Sequence, residues 1–214
     1  MAIVWVCDLD VAGYVERGRL VDAPRPTCPR CGGAVHRWHG YYRHLRGDRD
    51  RLIWVPGVRC SVCGVTQALL PWFVVPWRWD EVEWIGRAVE LAAQDWGHRR
   101  IAAELGRSES TVRGWLRRVR RAVTTLSRRL LALAVSWGWQ SWDLPVAELA
   151  RLVAAVTAAA ERWQRQRQPV TRWWVANLIT GGGLLTTNTT RPLAGSPTTD
   201  WMAVITKQEV PNGP

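Results

Sequence analysis

The spacing of hydrophobic positions changes period once along the chain. Residues 3–9 are apolar and β-branched, which predicts a short strand running into a turn. Between 25 and 66, β-branched and aromatic residues alternate, with glycines at 32, 33, 40, 47, 57 and 64. This pattern predicts strands at 34–45 and 51–58 joined by a turn at Arg46, Gly47 and Asp48. From Asp80 the period becomes helical: Val82, Ile85, Val89, Ala92 or Ala93, and Trp96 recur at steps of three and four. Asp80 is the expected N-cap, and Glu81 and Glu83 suit the positive end of that helix.

A short helix is expected at 99–105, followed by a long one from Glu109 that ends at Gly138. The long helix carries Val112, Trp115, Leu116, Val119, Val123, Leu126, Leu130 and Leu133 on one stripe. Asp143 and Pro145 open another helix, whose apolar face is Leu149, Leu152, Val153, Val156, Ala160 and Trp163. The two stripes either pair between subunits, as a homodimer reading two half-sites would require, or fold on each other within one chain. The second is the simpler expectation. Beyond Gln168 the periodicity decays into three glycines (181–183) and a threonine-rich run. The fold class is therefore α+β, in five segments. These are an N-terminal strand segment (1–24), a ribbon of strands (25–79), a helix-turn-helix with an extended second helix (80–136), an amphipathic helical segment (137–168) and a loosely ordered tail (169–214).

Charge narrows the partner. The 29 Lys+Arg outnumber 18 Asp+Glu for a formal net charge of +11, and every basic residue except Lys207 is arginine. Two zones hold most of the excess: 25–79, with nine arginines against two aspartates, and 98–136, with ten arginines against two glutamates. Arginine stays protonated and grips phosphate through a planar fork, so a polyanion is the expected partner. A hydrophobic content of 47% excludes a wholly disordered chain. No apolar run approaches the roughly 18 residues of a membrane span. The amino terminus has no basic n-region, so a cytoplasmic, nucleoid-associated protein is expected.

The cysteines add a metal. Cys28-Pro-Arg-Cys31-Gly32 and Cys60-Ser-Val-Cys63-Gly64 share one form, two cysteines at i and i+3 followed by glycine. Such knuckles turn two thiolates toward one ion, and the glycine takes the left-handed backbone as the chain leaves. Two knuckles complete a closed four-thiolate shell, the arrangement of structural zinc, so one Zn2+ on Cys28, Cys31, Cys60 and Cys63 is expected. A closed shell has no position for a reacting water, and no metal catalysis is inferred. His36, His39 and His44 are expected on the hairpin surface, and Cys7 in the interior.

The run from His98 to Leu116 has the form of a helix-turn-helix. Ile101, Ala102 and Leu105 make the inner face of the first helix, Gly106 breaks it, and Val112, Trp115 and Leu116 pack the second helix back across it. Ser108 or Ser110 is the expected cap of the second helix. Packing accounts for the apolar positions, which leaves Glu109, Ser110, Thr111, Arg113, Gly114 and Arg117 as the reading surface. Arg113 suits a bidentate contact to guanine, while Arg99, Arg100, Arg107, Arg118, Arg120 and Arg121 suit the phosphate backbone. Ser108 completes the candidate DNA-binding set. Trp72, Trp77, Trp79 and Trp84 are expected to glue ribbon to helices. Trp38, Trp54, Tyr41 and Tyr42 are expected in the hairpin core rather than stacked on bases.

The run Arg59-Cys-Ser-Val-Cys63-Gly-Val-Thr-Gln-Ala-Leu-Leu-Pro71-Trp-Phe-Val-Val-Pro76 resembles the zinc-ribbon exit of bacterial insertion-sequence transposases and their associated proteins. In those proteins a ribbon precedes a helix-turn-helix, and here the resemblance covers about residues 25–120. It implies recognition of duplex DNA, at the ends of a mobile element or a nearby operator, with a transposase or another mobile-element protein as partner. Full transposases of this kind continue into an RNase-H-like domain with three metal-binding carboxylates. After residue 136 this chain has only Asp143, Glu148, Glu161, Asp200 and Glu209. The expected function is thus sequence-specific duplex DNA binding without catalysis, in transposition or in transcription regulation. The alternatives are a truncated or metal-dependent transposase or nuclease, and a single-strand or RNA-binding zinc-ribbon module.

Overall fold

In the computed structural model, which describes residues 2–140, 143–164 and 171–183, the strand-forming half of the chain makes one four-stranded sheet. Its strands are β1 (Ala2–Trp5), β2 (Val35–Arg46), β3 (Asp50–Cys60) and β4 (Thr66–Pro71), in the order β1-β4-β3-β2. β2 and β3 form the expected hairpin, in register from Arg46 opposite Asp50 to Val35 opposite Cys60. A bulge between Trp38 and Tyr41 interrupts it where Gly57 meets the chain: a Cβ on Gly57 would lie 1.9 Å from the His39 carbonyl. β3 pairs antiparallel with β4. β1 adds in parallel on the far side of β4, Ala2 opposite Ala68 and Trp5 opposite Pro71.

The N-terminal segment therefore differs from the expected strand and turn. β1 stops at Trp5, and Asp10 caps a short helix α1 (Val11–Arg17) by accepting from the Gly13 N–H at 2.7 Å. What holds α1 is Tyr14, fully buried against Phe73 with its hydroxyl donating to the Trp54 carbonyl at 2.9 Å.

The helical half comprises α2 (Val82–Ala93), α3 (His98–Glu104), α4 (Glu109–Ser136), α5 (Glu148–Gln164) and α6 (Arg172–Ile179). Asp80 does not cap α2. The helix begins at Val82 with Glu81 at the cap position and no side-chain bond. Asp80 is instead drawn inward between Arg46, at 3.1 Å, and Arg107, at 3.5 Å, since a buried carboxylate gains more from two guanidiniums than from a helix end. α5 likewise starts at Glu148 rather than at Asp143.

The stripe of α4 packs on α5 inside the same chain, the simpler of the two expected arrangements, and is covered there. α6 falls where a loose tail was expected. It is anchored by Trp173, wholly buried with its ring 2.2 Å from where a Cβ on Gly86 would lie, and by Asn177. Asn177 Nδ2 donates to the carbonyls of Trp72 and Val74, at 2.7 and 2.9 Å, just beyond the end of β4. The remainder of the expected tail, 184–214, lies outside the described residues. Sheet and helices share one hydrophobic core that includes Phe73, Ile85, Leu116, Leu126 and Trp173. Among the described residues no helix is long and apolar enough to cross a membrane.

Candidate metal centre and nucleic-acid interface

The two knuckles close on each other because β3 carries Cys60 to a position opposite Val35, beside the first knuckle. Gly32 and Gly64 follow with φ of 71° and 69°, and each turn is closed by a glycine N–H donating to the Cys28 or Cys60 carbonyl, at 2.8 and 3.1 Å. The four sulfurs lie within 4.8 Å of one another, with Cys28 and Cys63 3.7 Å apart and Cys31 and Cys60 3.5 Å apart. A tetrahedron with metal–sulfur bonds of about 2.3 Å has edges of about 3.8 Å, so the cluster already has the dimensions of a metal site. The N–H groups of Cys63 and Val62 both point at the Cys60 sulfur at 3.4 Å. The Cys63 N–H is the chief reason that the Cys60 thiol is drawn down to about 6. A Gly33 N–H favours the thiolate of Cys31, but the neighbouring sulfurs of Cys60, Cys63 and Cys28 outweigh it and push that thiol up to about 12. Four cysteine sulfurs this close could hold a metal ion between them. The three hairpin histidines are exposed, as expected, and Cys7 is buried, its thiol pushed up to about 11 by burial.

The helix-turn-helix is built on Ile101, Ala102, Leu105, Val112, Trp115 and Leu116, all buried. Gly106 takes φ 59° at the turn. Ser108 caps α4, its Oγ accepting from the Thr111 N–H at 3.3 Å and donating to the Thr111 hydroxyl at 2.8 Å. Glu109, Ser110, Arg113, Arg117, Arg120 and Arg121 are exposed along α4, and Thr111 and Gly114 are half-buried. Arg99 reaches Glu109 at 3.5 Å, a surface pair of little energetic weight. Arg100 lies over the Trp96 ring at 3.4 Å.

Arg107 has a different role from the phosphate contact expected of it. Its guanidinium donates to the Gly47 carbonyl at 2.8 Å, pairs with Asp80 and covers the Trp84 ring at 5.0 Å. It ties the hairpin tip to the helix-turn-helix. Of the four tryptophans expected to glue the modules, Trp72 is buried and Trp84 half-buried, whereas Trp77 and Trp79 are 68% and 59% exposed. Those two, with Arg46, Arg78 and Asp80, face the first half of α4 across a groove of about 390 Å³. The opposite wall includes Ser110, Thr111, Gly114, Arg117 and Arg118. A side chain at Gly114 would press on Arg118, 3.3 Å away, so glycine there gives Arg118 room to lie against its own helix. Sequence reasoning missed this groove. The only local trace of it was an arginine flanked by tryptophans in the linker.

The hairpin aromatics also depart from expectation. Trp38 is 43% exposed, and Tyr41 and Tyr42 are about half exposed. Arg59 lies over Trp38 at 4.8 Å, and Arg19 over Trp54 at 4.9 Å and Tyr42 at 5.5 Å.

Residues 80–122 match the homeodomain-like domain family. The match takes in α2, α3 and the first half of α4, so α2 is the leading helix of a three-helix unit whose last helix is the long one. Units of this type place their third helix in the major groove, which points to DNA binding. No curated protein and no solved structure matches the chain.

Proposed function

We propose that the protein is a sequence-specific duplex DNA-binding protein that reads bases with the N-terminal turns of α4. The observation that carries this reading is the division of α4 within the homeodomain-like match: Val112, Trp115, Leu116 and Val119 are buried, and Arg113, Arg117, Arg120 and Arg121 are exposed. Arg113 reads a guanine, Ser110, Thr111 and Glu109 adjoin the base edges, and Arg99, Arg117 and Arg118 meet phosphates. The ion at Cys28, Cys31, Cys60 and Cys63 is a structural zinc, favoured by the all-sulfur tetrahedral donor set. The protein works without catalysis in the cytoplasm, at the nucleoid, beside a transposase at the ends of a mobile element or as a transcription regulator.

Selection from a random duplex pool at about physiological salt with zinc present tests the reading. An enriched motif is expected, and Arg113→Ala relaxes one base position at a cost of about 1–3 kcal/mol. Uniform weakening across all sequences would remove Arg113 as the reader. Two half-sites about 10 base pairs apart would identify a homodimer on the DNA.

A second reading, binding of single-stranded nucleic acid by the ribbon, is favoured by the exposed Trp38, Tyr41 and Tyr42 among arginines. Preference for a single strand over duplex in direct competition, lost on Trp38→Ala, would select it.

A further inference from the structure

We propose that the groove between linker 77–79 and the first half of α4 seats a phosphodiester of the DNA backbone, which makes the ribbon-to-helix linker a second DNA-contact element. The inference rests on the duplex-binding reading of α4.

Four arginines face this groove, Arg46 and Arg78 from one wall and Arg117 and Arg118 from the other, against one carboxylate. That carboxylate, Asp80, is buried and already held by Arg46 at 3.1 Å and Arg107 at 3.5 Å. Its charge also acts on Arg78, and one carboxylate cannot balance four guanidiniums. Burial first, and then the positive charge of Arg118, disfavour the charged form of Arg78, and the Asp80 carboxylate only partly offsets them. Arg78 Nε is buried and has no hydrogen-bond partner among the described residues. Guanidiniums facing one groove from both walls match the chemistry of phosphate oxygens.

The linker is also held in place at some energetic cost. The Arg43 guanidinium donates to the Arg78 carbonyl, and the Arg46 N–H donates to the Trp79 carbonyl at 2.5 Å. Trp77 sits at φ 62°, a left-handed conformation that strains a bulky L-residue. That strain is not offset by burial, because the side chain is 68% exposed. Trp79, stacked near His44 and Arg46, is exposed as well. Two rigidly presented aromatic faces beside a cationic cleft suit a phosphate flanked by deoxyribose, and the opposite wall belongs to the helix that reads the bases.

The test compares the full zinc-loaded chain with Arg78→Ala, Arg78→Lys and Arg113→Ala on duplex DNA across a salt series. Arg78→Ala should weaken all sequences alike and reduce the log–log salt slope by about one, with base preference unchanged, while Arg78→Lys keeps most of the slope. A duplex carrying one neutral methylphosphonate at the phosphate in question should bind the wild type and Arg78→Ala equally. An unchanged slope and affinity in a folded Arg78→Ala would overturn the groove proposal, with α4 reading intact if Arg113→Ala still relaxes one position. A change of base preference in Arg78→Ala would also overturn it, since the groove would then read a base. Inorganic phosphate, titrated against tryptophan fluorescence without DNA, provides the remaining arm. Saturable binding lost in Arg78→Ala, combined with an unchanged duplex slope, would mark a small-anion site and overturn the backbone assignment.

Discussion

Asn177 shows how much a single polar side chain holds when it is buried. Its amide satisfies two carbonyls just beyond the edge of the sheet from a helix more than a hundred residues away in sequence. Asn177→Ala leaves both acceptors without donors, and we expect a loss of about 2 kcal/mol or more in urea unfolding. Glu83 makes the opposite contribution. Burial raises its carboxyl above the ordinary 4.5, and one of its oxygens is buried with no hydrogen-bond partner among the described residues. The folded state therefore binds this proton more tightly than the unfolded chain does. On that account stability falls as pH rises from 4.5 through the raised value. Glu83→Gln should flatten this part of the profile and leave the protein at least as stable at neutral pH, as thermal melts across pH would show. A steeper decline in the variant would assign the dependence to another group.

At the scale of elements, the outer strand of the ribbon buries little area of its own. β2 presents mostly exposed residues, with Val35 and Leu45 buried near its ends. On the proposed metal reading, an ion tying both knuckles supplies what so thin a layer lacks. Chelation should unfold the hairpin, visible as lost strand signal in circular dichroism and a lower melting temperature, and Cys28→Ser should reproduce it. An unchanged melt after chelation would count against the four-thiol site. The knuckles, both long hairpin strands and the helix-turn-helix are legible in the sequence because each is specified locally, by cysteine–glycine spacing, alternation or a 3.6-residue stripe. α1 and α6 are not. Each is held by distant partners, Trp54 and Phe73 for α1, Gly86, Trp72 and Val74 for α6.

Across the whole molecule, the junction between ribbon and helices is a charge network. Arg107 bridges Gly47 and Asp80, and Arg51 reaches both Asp48 and Glu81 from the same hairpin tip. Arg107→Ala leaves Asp80 with Arg46 as its remaining ion-pair partner and should cost about 3 kcal/mol. The expected readout is a single unfolding transition that becomes broader or splits, with the salt slope of DNA binding unchanged. A reduced slope with unchanged stability would return Arg107 to the phosphate-contacting set.

Local pattern alone specified the four thiols, the capped helix α4 and its outward arginines, because spacing and period are properties of neighbouring residues. Tertiary structure decided which arginines remain free. Arg107 and Arg113 look alike in sequence, yet one is held by a buried carboxylate and a carbonyl sixty residues away while the other faces solvent. It also decided that Trp77 and Trp79 stand in the open across from α4, since exposure is set by what the rest of the chain packs against and not by the side chain itself.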